Sequence, residues 1–188
     1  MENKPTPETE QEKTAEQTSK KENKVQSFLT FLATVIVAYF LCTSVFAFHT
    51  IPSSSMEPTI AKNSFAVCWR LPYAIGKADP QYGEIISFKQ SSGRILIKRV
   101  IGLPGDTISF EDGYVYRNGE KLDEPYVKEQ GTTEAGKRDV YVVPEGCVFL
   151  MGDNRMHSID CRYIDDPYIP QQALYAKELF SFGIPGSR

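Results

Sequence analysis

Residues 107–122 read TISFEDGYVYRNGEKL. Apolar and polar side chains alternate along the first part, the period-two pattern of a half-buried strand. Two dipeptides, Asp112-Gly113 and Asn118-Gly119, interrupt it. Both tolerate the left-handed backbone of a tight hairpin turn, so the stretch predicts short antiparallel strands in direct succession. Its neighbours repeat the theme. EIISF (Glu84–Phe88) and ILIKRVI (Ile95–Ile101) are β-branched runs upstream, and VYVV (Val140–Val143) and CVFLM (Cys147–Met151) flank a Pro-Glu-Gly turn downstream. Tyr126–Asp139 is polar and reads as a loop. Gln171–Phe182 fits either a short helix after Pro170 or a final strand. The expected fold class is mainly β, in antiparallel sheets.

Toward the N-terminus the pattern changes. Phe28–Phe48, FLTFLATVIVAYFLCTSVFAF, is 21 residues without a charge. At about 1.5 Å per residue a helix of this length spans ~31 Å, the thickness of a bilayer's hydrocarbon core. A cleavable leader has a shorter apolar core nearer the N-terminus, so this reads as a retained transmembrane helix over residues 25–49. Met1–Lys24 contains six Glu and five Lys but no Val, Leu, Ile or aromatic residue. Such a stretch cannot bury enough apolar surface to order itself, and residues 1–24 are expected to form a disordered cytoplasmic tail. Lys20, Lys21 and Lys24 precede the span and no Lys or Arg follows it until Lys62. The positive-inside rule then places residues 50–188 outside the cytoplasm, as one domain of a single-pass plasma-membrane protein.

The averages of the 188-residue chain, 41% hydrophobic with net charge −3, conceal this partition. They exclude a protein built to coat nucleic acid, which would carry a basic excess. Four cysteines are too few for a disulfide scaffold and lack metal-ligand spacing, so no metal or other cofactor is expected.

Three residue groups could carry chemistry. IPSSSMEPTI (Ile51–Ile60) sets three serines between two prolines with apolar residues flanking them. A serine hydroxyl needs a neighbouring base to act as a nucleophile. His157, with Asp160 or Asp153, would supply one in a Ser-His-Asp arrangement. Lys98, inside ILIKRVI, would supply another if burial makes its amine easier to deprotonate. A Cys-His transpeptidase would also suit a membrane-anchored β domain, although nothing singles out one cysteine. GLPGD (Gly102–Asp106) signals a tight turn. In MGDNRMHSIDCR (Met151–Arg162), Asp160 and Arg162 are spaced to form an ion pair, and Arg155 could meet another carboxylate.

Taken in order, IPSSSMEPTI, GEIISFK (Gly83–Lys89), ILIKRVIGLPGD and MGDNRMHSIDCR resemble the boxes of bacterial type I signal peptidase (leader peptidase), a membrane-bound Ser/Lys endopeptidase family. NGEKLDEPYV (Asn118–Val127) is a further match. The resemblance covers nearly everything after residue 28. It implies the antiparallel β fold shared with repressor-type proteases, and cleavage of signal peptides from exported preproteins after small residues at −1 and −3. By the same resemblance Ser55 is the nucleophile, Lys98 the general base, and the Ser53 hydroxyl with the Ser55 N–H the oxyanion hole. Ser158 would hydrogen-bond and orient the Lys98 amine. Ile51, Pro52, Met56, Ile60, Leu96 and Ile97 would line the substrate pockets, with Asp153, Arg155, Asp160 and Arg162 as structural support. The implied partners are preproteins and the lipid bilayer, with no nucleic acid, and the protein is expected to be a monomer. His49, Ser54, Leu96 and Cys161 depart from the family pattern. A self-cleaving repressor-type protease is disfavoured by the span and by the lack of a DNA-binding helix pattern. A membrane-tethered β module without activity would not need the complete set of catalytic and supporting serines.

Overall fold

The computed structural model of the chain describes residues 7–90 and 92–183. Two units emerge, one ending at Thr43 and one beginning at Ser44. The first is a helix, α1 (Pro7–Val45), whose segment Asn23–Val45 is long and apolar enough to cross a membrane. The Thr30 and Thr34 hydroxyls donate to the carbonyls of Gln26 and Thr30, so these polar groups are satisfied within the helix itself. Two boundaries differ from expectation. Helix begins at Pro7, inside the stretch expected to lack order, where Glu, Gln, Lys and Ala favour helix locally. It ends at Val45, and β1 (Phe46–Ile51) follows at once, so His49 lies in a strand and not in the span. Residues 1–6 and 184–188, the ends of the expected tail and domain, lie outside the described residues.

The second unit is built from antiparallel pairs. β1 turns back on β2 (Ser64–Trp69) with Ile51 opposite Ser64. A short helix α2 (Leu71–Ala74) leads toward β3 (Ile85–Lys89) and β4 (Ile95–Gly102). Next come β5 (Thr107–Glu111), β6 (Tyr114–Arg117), β7 (Glu120–Lys121) and β8 (Val140–Val142). β9 (Cys147–Met151), β10 (Ile169–Pro170) and β11 (Leu174–Gly183) complete the set. Among the described residues these make a seven-stranded sheet, β1-β2-β11-β3-β4-β9-β10, and a four-stranded sheet, β7-β6-β5-β8. The predicted hairpins form where the turn residues demand them. Asp112 and Gly113 adopt φ of 49° and 78°, and Asn118 and Gly119 adopt 55° and 84°. The ambiguous segment after Pro170 is a single 3₁₀ turn followed by strand β11.

Two apolar clusters hold this unit together. One joins the sheets through Ile86, Val100, Ile108, Val115, Tyr141 and Phe149. The other gathers Ala47, Ile51, Met56, Ile60, Ala66, Cys68, Ile85, Ile97 and Ala176. β4 lies between them, so Ile97, Lys98, Arg99 and Val100 are all buried, although their side chains alternate. From Ile97 to Gly102 the side chains on both faces of the strand that carries Lys98 are therefore buried.

Candidate active site

The loop of residues 52–63 closes the β1–β2 hairpin, and its apolar anchors, Met56 and Ile60, are inserted into the second cluster. The Asn63 N–H donates to Ile51 O at 2.7 Å and the Ile60 N–H to Met56 O at 2.8 Å, which folds the loop tightly. Ser55 precedes Met56 and is carried inward with it, leaving 6% of its surface exposed. Lys98 arrives from the centre of β4. Its Nζ lies 2.8 Å from Ser55 Oγ and donates to Ile97 O at 2.9 Å. Ser53 Oγ lies 3.3 Å from Ser55 Oγ. Burial of the amine pushes the Lys98 pKa below its usual value, partly offset by the charge of Asp160 and Asp153 and by the Cys161 thiol nearby.

The segment that follows β9 packs against this pair. Asn154 donates its backbone N–H to Ser55 O and its Nδ2 to Ser54 O, each at 3.1 Å. Asp153 accepts two bonds from Arg99, at 2.8 and 2.6 Å, and one from the Thr59 hydroxyl at 2.5 Å. Arg155 is paired with Glu124 at 3.0 and 2.5 Å and donates to Gly152 O. Asp160 accepts from Arg162 Nε and Nη2, both at 2.9 Å, and from the Gly152 N–H at 3.0 Å. The expected Asp160–Arg162 pair thus forms, and Arg155 finds its carboxylate in the region of NGEKLDEPYV. Glu124, Thr59, Arg99 and Asn154 escaped sequence reasoning, because each partner lies 31 to 100 residues away and no local pattern marks it.

Several expected contacts differ. Ser158 is buried, but among the described residues its hydroxyl has no hydrogen-bond partner, the Lys98 amine included. It packs instead against Gly152, where an added Cβ would fall 2.3 Å from Ser158 Oγ and 2.5 Å from Ser55 O. Of the six apolar residues expected to line pockets, Ile51, Met56, Ile60 and Ile97 are core members of the second cluster, and Pro52 is exposed. Leu96 does line an open groove of about 980 Å³ beside Ser53, Ser55 and Lys98. β9 pairs with β4 only from Arg99 onward, so Ile95–Lys98 are paired with β3 on one side and open on the other.

The alternative chemistries are not assembled. His157 is exposed and its Nδ1 faces Asn154 Oδ1 at 3.3 Å, while Asp153 and Asp160 are committed to arginines. All four cysteines are free. Burial pushes the Cys68 thiol up to about 12 and the Cys161 thiol upward as well, leaving both protonated and unreactive at neutral pH. His49 is half-buried in β1 with its ring against that of Tyr175. Among the described residues no cluster of three or more His, Cys, Asp or Glu is placed to hold a metal ion.

The chain as a whole has counterparts among known proteins. The family model for signal peptidases, peptidase S26, matches residues 7–182. The chain belongs to this family. Among its peptidase S26 relatives, the probable signal peptidase I-2 of a Synechocystis species is 34% identical over 160 residues, covering 81% of this chain and 70% of its own. Signal peptidase I of Bacillus caldolyticus is 33% identical over 157 residues, covering 78% of this chain and 85% of its own. A crystal structure of a signal peptidase I from Enterococcus faecalis aligns at 33% identity over 55% of this chain and 98% of that one, with a TM-score of 0.44.

Proposed function

We propose that this chain is a signal peptidase I that removes signal peptides from exported preproteins at the membrane, with Ser55 as nucleophile and Lys98 as general base. The observation that carries the reading is the 2.8 Å contact between Lys98 Nζ and Ser55 Oγ inside a buried site. A neutral amine there accepts the hydroxyl proton through its lone pair as Ser55 Oγ attacks the scissile carbonyl. The proton passes to the leaving amine as the peptide bond breaks, leaving an acyl ester on Ser55. Lys98 then takes a proton from water as the water oxygen attacks the ester carbonyl, and returns that proton to Ser55 Oγ as the ester bond breaks, releasing the signal peptide with its new carboxylate. The Ser53 hydroxyl and the Ser55 N–H stabilise the oxyanion, a contribution of about 3 kcal/mol per donor in a water-poor site. Ser158 supports the site by packing against Gly152, beside the carbonyl of Ser55.

An extended substrate segment adds to the open edge of β4 at Ile95–Lys98, placing its scissile bond over Ser55. Small residues at −1 and −3 would meet the apolar side chains near Ser55, with Leu96 in the groove and the buried Met56 and Ile97 beneath it. Location supports the same reading. Six residues separate Phe48 from Ser55, about 25 Å of fully extended chain, so the nucleophile is tethered close to the end of the apolar helix. Phe48, Phe65, Phe182 and Phe180 form a chain of ring contacts along the β1–β2–β11 surface, with Phe48, Phe180 and Phe182 about half exposed. Such a surface suits the interfacial layer of a bilayer. The enzyme acts as a single-pass monomer with its catalytic domain outside the cytoplasm. Labelling by a serine-directed acylating probe that is lost in Ser55→Ala tests the reading against that of an inactive binding module.

A further inference from the structure

Ser54 O accepts two hydrogen bonds of different kinds. The Glu57 N–H donates to it at 3.1 Å within the loop of residues 52–63, and that bond moves with the loop. Asn154 Nδ2 donates to it at 3.1 Å from the segment after β9, and the Asn154 N–H holds the next carbonyl, Ser55 O, at the same distance. Asn154 is 4% exposed and follows Asp153, which Arg99 fixes to β4 one residue beyond Lys98. The two Asn154 bonds therefore reference the serine loop to the strand that carries the base. A carbonyl oxygen only accepts, so the NH₂ end of the Asn154 amide is the one that must face Ser54. Its Oδ1 is then left for the imidazole Nδ1–H of His157 at 3.3 Å.

Ser54 C=O and Ser55 N–H belong to the same peptide unit. That unit is planar and trans, so its carbonyl and its N–H point in opposite directions, and holding one aims the other. A hydrogen bond to the carbonyl also polarises the amide and makes its N–H a stronger donor. We propose that Asn154 is a positioning residue for the oxyanion hole: its side-chain amide fixes the Ser54–Ser55 peptide so that the Ser55 N–H meets the developing oxyanion. The inference rests on Ser55 being the nucleophile and adds a residue that touches neither substrate nor base. The bond stabilises the tetrahedral state more than the bound substrate, so its loss lowers kcat and leaves KM nearly unchanged.

The test compares wild type, Asn154→Ala and the equal-sized Asn154→Asp as full-length protein in detergent. Each is assayed for preprotein cleavage, for inhibition by a peptide boronate ending in Ala, which forms a tetrahedral adduct with a serine, and for binding of the released signal peptide. Loss of one neutral hydrogen bond is expected to lower kcat and boronate affinity about tenfold, with KM and product binding within about twofold. A purely structural role would lower boronate and product affinity together, and that result overturns the proposal. So does an unchanged boronate affinity in either folded variant. If Asn154→Ala does not fold, Asn154→Asp is judged by the same ratio. Cleavage surviving in Ser55→Ala would overturn the nucleophile assignment itself, and this inference with it. Loss of cleavage in Ser55→Ala with an unchanged boronate-to-product ratio at position 154 overturns this inference alone.

Discussion

Arg99 and Asp153 form a two-bonded ion pair, Nε to Oδ1 at 2.8 Å and Nη2 to Oδ2 at 2.6 Å, with the carboxylate out of contact with water. Arg99 follows the lysine of the buried pair, and Asp153 precedes the asparagine that holds the serine loop. Tyr126 covers the guanidinium, its ring centroid 3.9 Å from Arg99 Cζ, and Thr59 donates to the carboxylate. The base strand, the serine loop and the segment after β9 are thereby joined at a single point. Arg99→Met leaves Asp153 buried with one hydroxyl for company. The expected loss is about 3–5 kcal/mol of stability, read from urea unfolding monitored by circular dichroism. Arg99→Lys recovers little of it, because a point charge cannot make both bonds.

Gly152 is required for close approach. A methyl group there would overlap Ser158 Oγ and Ser55 O, and the second of these is backbone that cannot move without displacing Ser55. Gly152→Ala is expected to lower kcat at least a hundredfold and to cost about 1–3 kcal/mol of stability. A Gly152→Ala/Ser158→Gly double variant relieves one of the two overlaps and should regain stability without regaining full activity, measured by thermal unfolding and preprotein cleavage.

How far all this could be read in the sequence depends on the range of the interaction. The hairpin turns at Asp112-Gly113 and Asn118-Gly119 were legible because a left-handed backbone restricts the residue locally. The segment after Pro170 was not, because a strand closing a sheet between β2 and β3 is chosen by partners far along the chain. The order of the boxes paired Ser55 with Lys98, and the fold brings the two into contact, yet the environment of Lys98 was not legible. Burial of its amine depended on which elements cover β4, and from Ile97 to Gly102 both faces are buried. Glu124 and Asn154 look like ordinary loop residues until the fold sets them against Arg155 and Ser54. The start of α1 at Pro7 was missed for the opposite reason, since composition argued from burial while local helix propensity favoured order.

Burial of Lys98 sets a pH dependence for activity. On the proposed mechanism the amine must be neutral to accept the Ser55 proton, so kcat/KM is expected to rise with pH to a plateau, with a midpoint below the ordinary lysine value of 10.5. A pH–rate profile of purified enzyme on a soluble signal-peptide substrate measures that midpoint.

The same shift costs stability wherever the amine must be held below its ordinary value. Between the lowered folded value and 10.5 the unfolded chain binds more protons, so stability rises with pH across this window, and the penalty is complete below it. Lys98→Met removes the penalty and should unfold at a higher temperature than wild type near neutral pH, by about 2–4 °C per kcal/mol relieved. The difference should vanish above about pH 11, where both states of the amine are neutral.

The aromatic run along β1, β2 and β11 should matter only when lipid is present. Replacing Phe180 and Phe182 by Ser removes two half-exposed rings far in sequence from the buried pair. Cleavage of a preprotein in vesicles is expected to fall about tenfold, whereas hydrolysis of a soluble peptide in detergent should stay within about twofold of wild type.

The most direct measurement is cleavage of a membrane-inserted preprotein with Ala at −1 and −3 by wild type, Ser55→Ala, Lys98→Ala and His157→Ala, each shown to unfold cooperatively. Ser55→Ala and Lys98→Ala should each lower the rate by about 10⁴-fold or more, as expected when either member of a nucleophile–base pair is removed. His157→Ala should retain cleavage within a few-fold. Substantial turnover by folded Lys98→Ala, or its loss in His157→Ala, would contradict the Ser55–Lys98 mechanism.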